Sequence, residues 1–240
     1  MTIKNMTKSP APDERLNSIQ TRIQDACHQD RRGPSSLRLL AVSKGQPVAS
    51  IRALADLNQR SFGENYLDEG LKKIQALSAL DLEWHFIGPI QSNKTRAIAE
   101  HFDWVQSVDR EKIIRRLADQ RPATMPPLNV LIQVNVDGEQ QKAGCSPDQI
   151  EALAEAVAQR PCLRLRGLMA IPAPREQQPD QIAVFRRLHG LYSNLQAAHP
   201  DVDTLSAGMS TDLEAAILAG STMVRIGTDL FGPRTRTEQP

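Results

Sequence analysis

The chain has 240 residues, of which 40% are hydrophobic, and its 29 basic and 28 acidic side chains leave a formal net charge of +1. This balance excludes the strongly basic surface of a nucleic-acid binder and gives no reason to expect an anionic membrane as partner. No apolar run approaches the ~18 residues of a membrane span, and the polar start lacks the apolar segment of a signal peptide, so we expect a cytoplasmic protein.

Cysteine and histidine give no sign of a metal site. Cys27, Cys145 and Cys162 are isolated, odd in number and without C-x-x-C spacing, so we predict reduced thiols rather than a disulfide framework. Cys145 lies in a polar run at 138–147, which predicts that it is the most exposed of the three. Four of the five histidines lie in helical or loop segments with no spacing typical of metal ligands.

In chain order, residues 1–10 are predicted to be a disordered tail, and 12–30 a helix with apolar residues three and four positions apart. From residue 37 onward, apolar strand-like runs alternate with helical patterns. The predicted strands cover 37–44, 60–65, 82–88, 103–108, 128–136, 163–171, 203–208 and 222–227. The predicted helices between them cover 48–57, 67–80, 94–101, 110–120, 147–159, 180–198 and 212–219.

This alternation predicts a single α/β domain of the (β/α)8 type, the TIM barrel, with an extra N-terminal helix. Strands that alternate strictly with helices are parallel and joined by right-handed crossovers, and the chain is close to the ~250 residues of such a barrel. No linker or change in composition divides the sequence, so we assign the domain to 11–234 and a C-terminal tail to 235–240. Function is then expected at the carboxyl ends of the strands.

The first predicted strand ends at Lys44. Its apolar run stops there because Gly45 and Pro47 cannot continue it. A lysine at the edge of a buried strand cannot easily reach water, and partial burial lowers the pKa of its ammonium group from about 10.4. An unprotonated lysine forms Schiff bases with carbonyl compounds, pyridoxal phosphate among them. The alternative is an ordinary solvated lysine at the start of a loop.

Small and hydroxyl-bearing residues follow the last two strands. They are Ser206, Gly208 and Ser210 after strand seven, and Gly227 and Thr228 after strand eight. A capping box, with Thr211 as N-cap and Glu214 reaching back, predicts that a helix begins after the first group. Backbone N–H groups and hydroxyls in such loops bind anions, and this barrel often binds phosphate there. The alternative is that both segments are merely tight strand-to-helix turns.

Arg225 lies inside the eighth strand between Val224 and Ile226, so its guanidinium is expected to face one specific partner. Arginine carries only hydrogen-bond donors. Opposite a pyridine nitrogen it would keep that nitrogen unprotonated and the ring a poor electron sink. The alternative is an ion pair with a carboxylate of the barrel.

Three further polar residues follow predicted strands or lie within them. His85, between Trp84 and Phe86, is interpreted as a hydrogen-bonded core residue rather than a catalyst. Asn65 and Asn135 follow the second and fifth strands. Either asparagine could hold a ring hydroxyl or simply cap its own loop.

Several motifs, in the expected order between residues 37 and 234, resemble those of the pyridoxal phosphate homeostasis proteins of the YggS/PROSC type. They are AVSK at 41–44, FGENY at 62–66, WHFIGP at 84–89, QSNK at 91–94, GLMA at 167–170, LSAGMS at 205–210 and MVRIGT at 223–228. Gly45 and Gln46 depart from the family pattern, where many members carry other polar residues. The loop beside Lys44 is therefore less predictable.

The resemblance implies a barrel similar to the N-terminal domain of alanine racemase, with pyridoxal 5′-phosphate as the cofactor, bound to Lys44 as an internal aldimine. Arg225 matches the arginine that faces the pyridine nitrogen, and Asn65 and Met169 match positions that line the cofactor. The phosphate-binding positions are matched by Ser206, Gly208, Ser210, Gly227 and Thr228.

The implied function is cofactor buffering and delivery to apo enzymes that depend on pyridoxal phosphate, without catalytic residues or turnover. Only seven residues follow Pro233, so we expect no second domain of the kind that completes a racemase active site, and we expect a monomer. Two alternatives stay open. One is an amino-acid racemase or lyase that uses the same cofactor, and the other is a Schiff-base aldolase acting on a phosphorylated sugar.

Overall fold

The computed structural model describes residues 10–139 and 141–232. The tails predicted at 1–10 and 235–240 therefore lie, apart from Pro10, outside the described residues. Within the described residues no helix combines the length and the apolar character needed to cross a membrane. The same part of the chain holds no group of three or more side chains placed to bind a metal ion.

Eight parallel strands form a closed barrel in chain order, which confirms the predicted fold. The barrel closes where the first strand pairs with the eighth, with Leu40 opposite Arg225. The strands are β1 Arg38–Val42, β2 Ser61–Glu64, β3 Glu83–Phe86, β4 Trp104–Val108, β5 Leu128–Gln133, β6 Leu163–Met169, β7 Thr204–Ser206 and β8 Met223–Ile226.

The helices cover the outside of the barrel, and one more helix precedes it. They are α1 Pro12–Gln29, α2 Val48–Asp56, α3 Leu67–Ala76, α4 Thr95–His101, α5 Glu111–Gln120, α6 Ile150–Ala158, α7 Gln178–Ala198, α8 Leu213–Leu218 and α9 Thr228–Phe231. Short 3-10 turns lie at Pro34–Ser36, Ser92–Lys94 and Pro147–Gln149. The last helix, α9, is a single turn after β8 that the sequence pattern did not separate.

Helix α1 packs along the barrel because its apolar residues lie on one face. Leu16, Ile19, Ile23 and Cys27 are buried, at the three- and four-residue spacing that aligns side chains on a helix. Pro12 occupies the first helical turn, where its missing N–H costs nothing. The helix contacts α8 and α9, the two elements that follow the last strands.

The main apolar core lies between the strands and the surrounding helices, whereas the inside of the barrel holds both apolar and polar side chains, with Leu40 and Met223 among the apolar ones. Inside it, only Trp104, Leu131 and Met169 form a separate apolar cluster among the described residues. His85, Gln106, Ser206 and Arg225 are all buried there as well. Buried polar groups must find partners, so the interior of this barrel is organised by hydrogen bonds.

The exposure predicted for Cys145 is wrong. Its side chain is buried, and its backbone N–H donates to the carbonyl of Gln133 at 2.9 Å. An isolated β-bridge joins Val134 to Cys145. The segment at Cys145 therefore pairs with the end of β5, and burial raises the pKa of the Cys145 thiol to about 11.

Candidate functional site

A cavity of about 300 Å³ opens at the carboxyl ends of the strands. Six of the residues singled out in the sequence line it, namely Lys44, Asn65, Ser210, Arg225, Gly227 and Thr228. None of the residues that line the cavity is acidic. The site therefore presents an amine, a guanidinium and hydroxyl groups to whatever occupies it.

The turn that carries Lys44 is fixed by hydrogen bonds on both sides of the lysine. Ser43 donates its backbone N–H to the carbonyl of Gly63, and Gln46 donates to the carbonyl of Ser43, both at 3.0 Å. Gly45 has a φ of +70°, a left-handed conformation in which glycine avoids the penalty of a Cβ. This turn directs the partly buried Lys44 side chain into the cavity.

A buried ion cluster lies behind the same turn. Lys73 Nζ donates to Glu64 Oε1 at 2.7 Å, to Glu69 Oε1 at 2.5 Å and to the carbonyl of Ser43 at 2.6 Å. Glu69 also accepts the backbone N–H of Gly45 at 2.6 Å. Burial raises the pKa of Glu64, against the opposing effect of Lys73. Ser43 and Gly45, which flank Lys44, are thus both bonded to this charged cluster. Sequence analysis did not find the cluster.

Arg225 is buried inside the barrel without a carboxylate partner. Its Nη1 donates to Ser206 Oγ at 2.8 Å and its Nη2 to the carbonyl of Ala170 at 2.9 Å. In the described part of the chain no carboxylate oxygen lies within 4 Å of the guanidinium, so the ion pair considered from the sequence is not formed. Burial lowers the pKa of Arg225 to about 10, against the opposing effect of Asp212, which still leaves the side chain charged at neutral pH.

A chain of hydrogen bonds runs from Arg225 through the barrel interior. Ser206 Oγ donates to Gln106 Oε1 at 2.7 Å, and Gln106 Nε2 lies 2.9 Å from His85 Nδ1. His85 Nε2 lies 2.7 Å from Glu83 Oε1. Arginine only donates and an ionised carboxylate only accepts, so the direction of every bond between them is set by the two ends. We refer to these five residues as the barrel relay.

The relay defines the state of His85. Gln106 donates to Nδ1, so the ring proton lies on Nε2 and faces Glu83. Burial lowers the pKa of His85, with Glu83 opposing, and the imidazole is neutral. Trp104 stacks on the ring with the centroids 5.1 Å apart. The structure confirms His85 as a hydrogen-bonded core residue.

The two asparagines differ. Asn135 caps its own loop, because its Nδ2 donates to the carbonyl of Glu139 and its Oδ1 accepts the Glu139 N–H. Asn65 lines the cavity, and its buried Oδ1 has no hydrogen-bond partner among the described residues. A Cβ at position 88 would lie 2.0 Å from the carbonyl oxygen of Asn65, so Gly88 is needed for this close approach. Asn65 is therefore held in place with one acceptor unsatisfied.

The loops after β7 and β8 bring hydroxyl groups to the cavity. Ser210, Thr211 and Thr228 line it. Gly208, which does not line it, has a φ of +98°, and a Cβ there would lie 2.5 Å from Ala216 Cβ. At Gly227 the nearest protein atom to an added Cβ is 3.4 Å away, an ordinary contact. The fold therefore requires glycine at 208, whereas glycine at 227 leaves space in the cavity.

The predicted capping box at 211–214 is wrong. Helix α8 begins at Leu213, with Asp212 rather than Thr211 at the cap position and no side-chain cap bond. Asp212 Oδ1 accepts the backbone N–H of Met209 at 2.6 Å. Glu214 turns outward to Arg22 of α1, with contacts of 2.7 and 3.0 Å. A forked guanidinium–carboxylate pair is stronger than a bond to a neutral backbone N–H, which explains the difference.

Two further predicted residues, Met169 and Ser206, do not line the cavity. Met169 is buried in the apolar cluster inside the barrel, and the hydroxyl of Ser206 is engaged by Gln106 and Arg225. Gln106 itself was missed, although a glutamine inside the apolar run 103–108 is a signal in the sequence. The structure gives Ser206 a place in the relay that supports Arg225.

Comparison with known proteins gives consistent relatives. The family model described as alanine racemase, N-terminal domain, matches residues 20–235. The pyridoxal phosphate homeostasis protein of Pseudomonas aeruginosa is 57% identical over 221 residues, covering 92% of this chain and 95% of that protein. The protein of the same name from Escherichia coli K12 is 52% identical over 222 residues, covering 91% and 95%. The structure of PipY from Synechococcus elongatus with pyridoxal phosphate bound is 34% identical with a TM-score of 0.80, covering 92% of this chain and all of that one.

Proposed function

The chain belongs to the family of pyridoxal phosphate homeostasis proteins. From this we propose that it binds pyridoxal 5′-phosphate covalently through Lys44 in the barrel cavity. We also propose that it acts as a carrier of the cofactor rather than as an enzyme. The observation that carries the proposal is that Lys44 and the carboxylate-free Arg225 line one cavity. An amine and a buried cation together suit an anionic ligand that carries an aldehyde.

The residues of the cavity fit the parts of this cofactor. Its aldehyde condenses with a lysine amine with loss of one water molecule and no change in oxidation state. Lys44 supplies that amine. The hydroxyls of Ser210 and Thr228, with the space left at Gly227, suit the phosphate. The unsatisfied Oδ1 of Asn65 needs a donor, and the ring hydroxyl provides one.

Arg225 supports binding without turnover. Electron-sink chemistry of the ring is favoured by a protonated ring nitrogen, which needs an acceptor opposite it. Arg225 has five donors and no acceptor, and no acidic residue lines the cavity. The barrel relay holds the guanidinium in place through Ser206. The site therefore keeps the ring nitrogen unprotonated, which suits storage of the cofactor.

Delivery to apo enzymes is part of the same proposal. Tyr66, Ile171 and Met209 are exposed large apolar side chains, and the last two line the cavity. A monomeric functional unit stays a prediction from the sequence. The loaded protein is incubated with an apo enzyme that uses the cofactor. The activity of that enzyme should return faster than with the same amount of free pyridoxal phosphate.

The binding test uses the purified protein and added pyridoxal phosphate. We expect a visible absorbance band that borohydride removes, and its loss in Lys44→Ala, with weaker noncovalent binding retained. Lys72→Ala, at an exposed position of α3, is the matched control and should keep the band. A wild-type protein that takes up no cofactor would refute the proposal.

Turnover is tested separately. In deuterated water, exchange of the Cα proton of common amino acids should be no faster with the loaded protein than with free pyridoxal phosphate. Exchange well above that background would instead support the racemase or lyase alternative. An adduct that forms with a phosphorylated sugar and not with pyridoxal phosphate would support the aldolase.

A further inference from the structure

Arg22 of the N-terminal helix contacts both loops that lead into α8 and α9. Its Nε and Nη2 donate to the two carboxylate oxygens of Glu214 at 2.7 and 3.0 Å. Nη2 also donates to the carbonyl of Ser210 at 2.9 Å, and Nη1 to Asp229 Oδ2 at 3.1 Å. Ser210 lines the cavity, and Asp229 follows Thr228, which also lines it. One guanidinium therefore joins the two loops from their outer side.

We propose that Arg22 is a positioning residue for the phosphate end of the ligand, because it fixes the spacing of the Ser210 and Thr228 loops and offsets the charge of the carboxylates behind them. The inference rests on the proposed function, since it assigns the phosphate to these loops. It gives the extra helix α1 a role in ligand affinity as well as in packing.

The short helices make this contact important. Helix α8 has six residues and α9 has four, so few internal hydrogen bonds hold either of them and their orientation depends on outside contacts. Helix α1 is firmly seated by Leu16, Ile19 and Ile23. A forked arginine holds its partners in a defined geometry. Arg22 transfers the rigidity of α1 to both loops.

The charges point the same way. Glu214 and Asp229 are two acidic side chains next to loops that receive a phosphate under the proposed function. The hydrogen bond from Arg22 is the main cause of a lowered pKa at Glu214, so that carboxylate is ionised. Without Arg22, both negative charges would act on the phosphate without compensation. Loss of Arg22 therefore disfavours a phosphorylated ligand in particular.

The test compares pyridoxal phosphate with pyridoxal, which lacks the phosphate. Hydrogen bonds to charged groups correspond to roughly a ten- to hundredfold change in affinity. We expect Arg22→Ala to weaken pyridoxal phosphate binding by about that factor while leaving the weaker pyridoxal binding nearly unchanged. Arg22→Lys keeps the positive charge but not the forked guanidinium. It should therefore lower the ratio of the pyridoxal phosphate affinity to the pyridoxal affinity by a smaller factor. It also serves if the alanine variant does not fold.

Arg32→Ala is the matched control, because Arg32 follows α1 in the chain and also contacts α8. Arg32 donates to the carbonyl of Ile217 at 2.7 Å, at the far end of α8, and pairs with Asp30. This variant should lose stability without a change in the ratio of the two affinities. The inference about Arg22 is overturned if the ratio of the two affinities is unchanged in both Arg22 variants, or if Arg32→Ala changes it as much as Arg22→Ala does. Either result leaves the proposed function standing. A wild-type protein that binds neither compound would overturn the proposed function with it.

Discussion

Replacement of Gln106 by leucine removes the centre of the barrel relay while keeping a side chain of similar size. Gln106 is fully buried and joins Ser206 to His85. Leucine leaves the O–H donor of Ser206 and the Nδ1 acceptor of His85 without a partner, while Ser206 Oγ still accepts from Arg225. A buried polar group left unsatisfied costs about 1–3 kcal/mol, so two of them should lower the free energy of unfolding by about 2–6 kcal/mol.

The assay is equilibrium unfolding in urea, with Gln133→Leu as the control. Gln133 is another buried barrel glutamine, but within residues 10–139 and 141–232 its side chain makes a single hydrogen bond, of 3.2 Å to the carbonyl of Ala143. It should therefore cost clearly less than Gln106→Leu. Nitrogen NMR of the His85 ring in the wild-type protein should show the neutral form with the proton on Nε2. Equal costs for the two variants, or a proton on Nδ1, would refute the relay.

Three further predictions concern glycine, the ion cluster and acid. Gly208→Ala should destabilise the fold because of its φ of +98° and the 2.5 Å approach to Ala216, whereas Gly227→Ala should keep the stability and weaken cofactor binding, as thermal melting and titration will show. Lys73→Met leaves the buried carboxylate of Glu64 uncompensated and should cost about 3–5 kcal/mol in urea unfolding, more than Lys72→Met at its exposed neighbour. Burial opposes ionisation of Glu83, but the hydrogen bonds from His85 and Trp104 and the charge of Arg38 prevail and lower its pKa from 4.5 to about 2. Its stabilising effect is therefore present above pH 4.5 and lost as the pH falls towards 2, and Glu83→Gln should flatten this part of the pH dependence of unfolding.

The barrel could be predicted because each strand and helix carries its own local pattern. The strands predicted at 103–108 and 128–136 are one and three residues longer than the observed β4 and β5, because apolar and turn residues at strand ends continue the pattern beyond the last ladder bond. Lys44 and Arg225 could also be singled out locally, since each is a cation at an otherwise apolar strand. That both line one cavity follows from the closure of the barrel.

The contacts that organise the site could not be predicted, because they join residues far apart in the chain. Gln106 reaches Ser206 across 100 positions, and Arg22 reaches Glu214 across 192. The capping box failed for this reason: a local motif lost its glutamate to a distant arginine. Cys145 was predicted wrongly because its backbone bonds to Gln133 at the end of β5, a contact that the polar run around it does not reveal.

The most direct test of the account is mass spectrometry of the borohydride-reduced protein after loading with pyridoxal phosphate, followed by peptide mapping. The account predicts one reduced pyridoxyl phosphate group per chain, attached to the peptide that contains Lys44. Attachment to another lysine, such as Lys94 at the neighbouring surface, or no stable adduct at all, would contradict it.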